Sequence, residues 1–322
     1  PDPAATQAAL DLEQTRIALG VQSTSLAVQQ TRVAEITEQA RNAPQPTYTP
    51  LPTYTAVVPP TTAPLPTMAP AAAEPTAEPT AEPTVDIQDK IRKANILVFE
   101  DIRGYPALDT RVSRAIEGMD FSGGRIIQVG DAVGNFMTEL NSPVKWDLII
   151  VSAEARAAVR GEFWDVILDQ VNRNVALVAE VWYLDDIANG RISNLLGKCG
   201  VAFQKDWYRD PGSNPLDYSM YWLQPDSEVF TIYNTVGPLY TPTIYWDYDA
   251  GDMIRLGSGG DATLLAGLFP KERSSYGTLA TCLEGRMILQ TFSSHDYKYN
   301  QVVPLWQNYI MYTLTNHFKK VQ

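Results

Sequence analysis

The chain is poor in the residues that most metal and redox chemistry requires. Its 322 residues include two histidines, His295 and His317, and two cysteines, Cys199 and Cys282. Two histidines exclude a multi-histidine zinc or copper centre, and the cysteine spacing carries no metal-ligand signature. In an exported protein the two thiols could pair; as two buried free thiols they would stay apart, and the sequence leaves both readings open. Basic residues are also scarce, with 25 Lys and Arg against 37 Asp and Glu, for a formal net charge of −12. That balance weighs against binding to nucleic acid or anionic lipid, since both need basic patches. No apolar run is long enough to span a bilayer, and no signal peptide is visible. The chain opens at Pro1 rather than methionine, from which we expect an upstream segment: a cleaved signal, a lipidated cysteine or a transmembrane anchor. Any membrane attachment is then expected only through an anchor before Pro1, and the protein is expected outside the cytoplasm.

Cofactor motifs are missing as well. Gly257-Ser-Gly-Gly260 precedes Asp261 and a strand instead of opening a helix after one, so it is not a phosphate cradle. Asp247, Asp249 and Asp252 resemble part of a calcium loop, but Ser258 and Gly259 stand where a bidentate glutamate is wanted, and the segment reads as a solvated turn. We expect no cofactor and no metal.

What is present begins with a heptad. Leu12, Leu19, Leu26, Val33 and Ala40 recur every seven residues, so on a helix they share one slowly drifting stripe that parallel chains can bury together. The second core position holds Thr15, Gln22, Gln29 and finally Ile36; polar layers weaken association but fix its register. Ile17, Val21 and Val28 widen the apolar face, which fits a bundle of three or more helices. Residues 1–43 are therefore expected to form an oligomerising coiled coil through Leu12, Leu19, Leu26, Val33, Ile36 and Ala40. Residues 44–84 are proline, threonine and alanine, with a tandem Glu74-Pro-Thr-Ala, Glu78-Pro-Thr-Ala, Glu82-Pro-Thr repeat. Too few large apolar side chains occur there to offset ordering entropy, and proline favours extended polyproline II. At about 3.1 Å per residue, such a stalk reaches on the order of 120 Å at full extension.

Residues 85–322 read as a globular α/β domain. β-rich runs at Asn95–Phe99, Arg125–Val129, Asp147–Val151 and Asn174–Ala179 alternate with helical patterns marked by Leu108, Val112 and Ile116, by Phe136 and Leu140, and by Phe163, Ile167 and Val171. Alternation of this kind predicts a mostly parallel, doubly wound sheet, a flavodoxin-like three-layer sandwich. Later runs predict strands at Gly200–Phe203, Val229–Tyr233 and Ala262–Phe269, a hairpin over Tyr276–Phe292 turning at Glu284-Gly285, and a last helix from Pro304 to Phe318. Aromatic residues crowd the middle of the domain. Trp207, Tyr208, Tyr221, Trp222, Tyr245 and Trp246 are candidates for a ligand or partner surface, with ordinary packing as the alternative.

Val175-Ala-Leu-Val-Ala-Glu180-Val-Trp-Tyr-Leu, followed by Ala188-Asn-Gly-Arg-Ile-Ser-Asn-Leu-Leu-Gly-Lys-Cys-Gly200-Val, resembles the strand, elbow and helix of class I glutamine amidotransferase-like domains. Gly285-Arg-Met-Ile-Leu-Gln-Thr-Phe-Ser-Ser-His295-Asp, with Leu305-Trp-Gln-Asn308-Tyr-Ile, is similar to the end of their trehalose-utilisation (ThuA-like) branch. The resemblance implies a cysteine nucleophile on a strained turn after the central strand, close to a histidine. Glu180 stands at the matching position, between Val178 and Trp182 where an elbow needs small residues, and Cys199 and Cys282 lie elsewhere. His295 matches the late histidine.

Three functions are compatible with these features. The first is a non-catalytic structural or binding protein of the cell envelope, oligomerised by its helix and presenting a degenerate domain on a stalk to an envelope polysaccharide or protein. The second is an extracytoplasmic hydrolase or carbohydrate-active enzyme with Glu180 as general base beside His295. The third is an accessory subunit of a membrane-associated complex.

Overall fold

The computed structural model describes residues 86–102, 108–154, 161–208, 219–240, 249–268 and 276–321. The heptad positions Leu12, Leu19, Leu26, Val33, Ile36 and Ala40, the proline-threonine stalk, and Tyr245 and Trp246 lie outside the described residues.

Strands β1 (Ile96–Glu100), β3 (Leu148–Ala153) and β4 (Ala176–Val181) are buried along their whole length because both of their faces are covered. With β2 (Ile126–Gln128) and β10 (Met287–Gln290) they form a parallel set in the order β2-β1-β3-β4-β10. Near-continuous apolar runs are what such strands require. The sheet then continues antiparallel through β9 (Leu279–Cys282), β8 (Thr263–Gly267) and β6 (Tyr221–Trp222).

Successive side chains point to opposite faces, and each face supports one core. Val98, Ile150, Val178 and Ile288 pack with α1 (Ile87–Arg92), α2 (Arg111–Glu117) and α7 (Tyr299–Lys320). Leu97, Ile149, Leu177 and Leu289 pack with α3 (Val133–Leu140), α4 (Phe163–Asn172), the single turn α5 (Leu184–Ile187) and α6 (Ser193–Cys199). The domain is therefore the doubly wound three-layer sandwich that the alternating pattern predicts. Cys199 and Cys282 are bonded to each other, with Cα atoms 5.3 Å apart, and tie the end of α6 to the end of β9.

Several elements depart from the sequence expectation. Asp249–Leu256 is not a solvated turn but strand β7, antiparallel to β5 (Val201–Tyr208) in a separate two-stranded sheet. Asp249 and Asp252 are buried in it. Gly251 sits there at φ 126°, and a Cβ would come within 2.3 Å of the Thr291 carbonyl, so only glycine lets β7 cross the end of β10. The run Val229–Tyr233 is no strand. Glu228–Phe230 forms a 3₁₀ turn capped by Ser227, and its apolar residues serve packing, with Phe230 stacked on Trp222 at 4.0 Å. The last helix starts at Tyr299, ahead of Pro304, and forgoes the one amide bond that Pro304 cannot make.

Candidate functional site

The parallel strands end in a polar row. Their register pairs Glu100 of β1 with Ser152 of β3, Ser152 with Glu180 of β4, and Glu180 with Gln290 of β10. All four residues occupy the face covered by α2 and α7, and all four are buried. One pleat further along the chain from Ser152 comes Glu154, fully buried. The turn after β10 adds Ser293, Ser294 and His295 from above. This is the carboxyl edge of a parallel sheet, where doubly wound folds place their ligands.

Glu180 is enclosed on all sides. Ser294 donates its backbone N–H to Glu180 Oε1 at 2.5 Å, and the Ser152 hydroxyl donates to Oε2 at 2.9 Å. Glu180 and His295 do not pair directly. Glu154 lies between them, hydrogen-bonded to Glu180, and its Oε1 is 2.7 Å from His295 Nδ1 while its Oε2 accepts from Ser293 Oγ at 2.7 Å. His295 Nε2 lies 2.9 Å from the Asp109 carbonyl. Both imidazole nitrogens thus face acceptors, an arrangement that fits the doubly protonated, cationic ring.

The electrostatics agree with that assignment. Burial works against a charged His295, but the Glu154 carboxylate and its hydrogen bond outweigh it and raise the imidazole above its ordinary value. Burial would likewise push Glu154 up; the His295 charge, with hydrogen bonds from His295, Glu180 and Ser293, holds it well below the usual carboxylate range. Glu180 is driven the other way, first by burial and then by the Glu154 charge beside it. These directions and the hydrogen bonds together favour an ionised Glu154, a cationic His295 and a Glu180 that keeps its proton, with the two carboxyl groups sharing one proton.

The surroundings complete the network. Gln290 donates from Nε2 to Ser294 Oγ at 2.9 Å and to the Phe292 carbonyl at 3.0 Å, and accepts from Tyr309 Oη at 3.0 Å. Trp306 Nε1 donates to Ser294 Oγ at 3.0 Å, and Trp182 Nε1 donates to the Glu154 carbonyl at 2.6 Å. Glu100 accepts from Val112 N, Ser113 N and Ser113 Oγ, capping α2 from outside the helix. Trp182 and Tyr183, the two residues after β4, are buried and pack edge to face.

A nucleophile elbow would show as a residue in the left-handed region between β4 and α6. Among the described non-glycine residues, positive φ is confined to Asn174, Leu283 and Glu284, so β4 runs through Glu180 to Val181 without that strain. Chemically, the arrangement can hold one proton between two carboxyl groups and one positive charge on a fixed imidazole.

The aromatic surface is only partly a surface. Trp207 and Trp222 are buried, 3% and 7% exposed, and belong to the core beneath the sheet, which corrects their reading as ligand contacts. Trp222 also donates to the Val236 carbonyl at 2.9 Å. Tyr208 is 56% exposed, and Tyr221 is half-buried against Tyr240 with ring centroids 5.9 Å apart. Among the described residues no group of three or more His, Cys, Asp or Glu side chains is placed to hold a metal ion.

No protein-family model matches the chain, and no curated protein matches it. Among solved structures, the chain is similar to the glutaminase domain of Trypanosoma brucei CTPS with bound acivicin, at 11% sequence identity and a TM-score of 0.39, over 68% of this chain and 93% of that one.

Proposed function

We propose that the chain is a non-catalytic structural or binding protein of the cell envelope, in which a degenerate amidotransferase-like domain is carried on a proline-threonine stalk and oligomerised by the N-terminal helix. The observation that carries the reading is the state of Glu180. The residue at the nucleophile position has no exposed surface, and both of its carboxyl oxygens are engaged within the domain. His295, the second expected catalytic residue, has both ring nitrogens committed to Glu154 and Asp109. A general base needs a lone pair within reach of the proton it abstracts, and neither residue offers one. The crevice in this reading is a strut: its former reacting positions lock the end of β4 to the turn after β10.

The disulfide between Cys199 and Cys282 supports placement in an oxidising compartment. Oligomerisation gives the arrangement a purpose, because several weakly binding domains on one stem hold a repetitive surface far better than one does. The test is light scattering on the intact chain beside a Leu19→Ser, Leu26→Ser variant. The intact chain should be an oligomer of three or more copies and the variant a folded monomer. Equal masses for the two would sink the stalk as the organising element, and release of ammonia from glutamine or sugar from a glycoside by the intact chain would sink the non-catalytic assignment.

A further inference from the structure

At the carboxyl edge, the network described above leaves two donors of Arg111 unanswered. Arg111, the first residue of α2, is 7% exposed. Its Nε and Nη1 are buried with no hydrogen-bond partner. The Asp109 carboxylate lies 3.8 Å from Nη2, beyond hydrogen-bond range, and its side chain is 72% exposed, so water screens it. The Tyr299 ring lies 5.1 Å from the guanidinium carbon. An aromatic face attracts the cation but accepts none of the N–H groups that lie in the guanidinium plane.

Two acids of the polar row are already committed. Glu100 is taken up by the first amides of α2 and the Ser113 hydroxyl. Glu154 is taken up by His295 and Ser293. The Asp109 carbonyl accepts from both Arg111 N and His295 Nε2, which brings the cationic imidazole into the same turn. Two positive groups therefore converge there: His295 is hydrogen-bonded to its counter-ion, whereas the ion pair of Arg111 with the exposed Asp109 carboxylate leaves Nε and Nη1 unmet. A buried guanidinium whose N–H donors are left unmet is unfavourable. A neutral ligand would satisfy its donors and leave the charge; an oxyanion satisfies both.

We infer that Arg111 receives a small oxyanion, a carboxylate or a phosphate group, at the carboxyl edge of the sheet. The site goes beyond the non-catalytic reading and does not depend on it, since it uses neither Glu180 nor a reacting group.

Thermal unfolding of the full chain tests this, with sodium phosphate and sodium acetate titrated separately and ionic strength held constant with sodium chloride. One of the two anions should raise the midpoint saturably, and which one does so identifies the group. Arg111→Gln should abolish the saturable response, and Arg111→Lys, which keeps the charge but loses the planar donors, should weaken the affinity by about tenfold. A saturable response in Arg111→Gln equal to that of the unsubstituted chain overturns the site, as does its absence with both anions in the unsubstituted chain. If neither variant folds, the arginine Nε–H resonances of the isotope-labelled chain decide: one should move saturably with the anion, and none moving refutes the inference.

Discussion

Replacing Glu180 by glutamine separates a protonated structural acid from an ionised catalytic one. Glu180 holds its proton because of burial and the neighbouring Glu154 charge, whereas in the unfolded chain the same side chain ionises above about pH 4.3. Wild-type stability therefore falls as pH rises above that value, by about 1.4 kcal/mol per pH unit while Glu180 stays protonated, which sets a ceiling of about 4 kcal/mol at pH 7. Glutamine does not titrate and removes this penalty. It also fits the hydrogen bonds: its oxygen can accept from Ser294 N, and its amide can donate to Glu154 and to Ser152 Oγ, whose hydroxyl rotates to suit. Guanidinium unfolding of Glu180→Gln and wild type at several pH values should show the variant more stable at pH 7 by about 1–3 kcal/mol, a margin below the ceiling because the new geometry is imperfect. Below pH 4 the margin should vanish or reverse. A variant destabilised equally at pH 4 and pH 7 would refute the protonated assignment.

Three further outcomes follow from the same geometry. Truncating His295 to alanine leaves Glu154 buried without its cation and should cost about 3–5 kcal/mol in equilibrium unfolding at pH 6. The pair itself has a pH window: the Glu154 contribution is present above the unfolded carboxylate value and is lost as pH falls through its lowered folded value, and the His295 contribution is complete below about pH 6.5 and fades as pH rises through its raised one. Thermal midpoints should therefore fall on both sides of mildly acidic pH, and Asp252, pushed up to about 9 by burial and by the charges of Asp185, Asp206 and Asp249, adds to the loss on the alkaline side. Cys199→Ala with Cys282→Ala opens a loop set by a sequence separation of 83 and should cost about 2–4.5 kcal/mol by chemical unfolding, with no loss from reducing agent in the double variant.

How much of this was legible in the sequence depended on the range of the interaction. Ile149, Ile150 and Val151 read as a central strand because burial on both faces leaves only apolar residues to see. Strand β7 was missed for the opposite reason. Asp249, Gly251 and Asp252 are turn formers locally, and only the crossing over Thr291 explains why they are buried in a strand. His295 and Glu180 could be placed at the carboxyl edge from the element order, but the residue that joins them could not. Glu154 is 141 positions from His295, and the one cue to it was alternation, since Ile150, Ser152 and Glu154 fall on one face of β3 and its continuation. Nothing local in the sequence singles out Arg111; its unmet donors depend on which acids have already been claimed.

The polar row also explains why a carboxyl group suits position 180. A small apolar side chain there would leave Ser294 N and Ser152 Oγ facing a buried gap, with the amide lacking an acceptor. A carboxyl group at position 180 supplies two acceptor oxygens to these two donors, and its proton faces the Glu154 carboxylate. Glu154 then needs a cation to remain ionised, and His295, already placed by the turn after β10, provides it. Each member of the row is justified by the next, so a change at Glu154 should release Glu180 and His295 together. A double-mutant cycle between Glu154→Gln and Glu180→Gln tests this directly: coupling of about 1 kcal/mol or more marks one cooperative network, and additive effects would mean that the two carboxyl groups act independently.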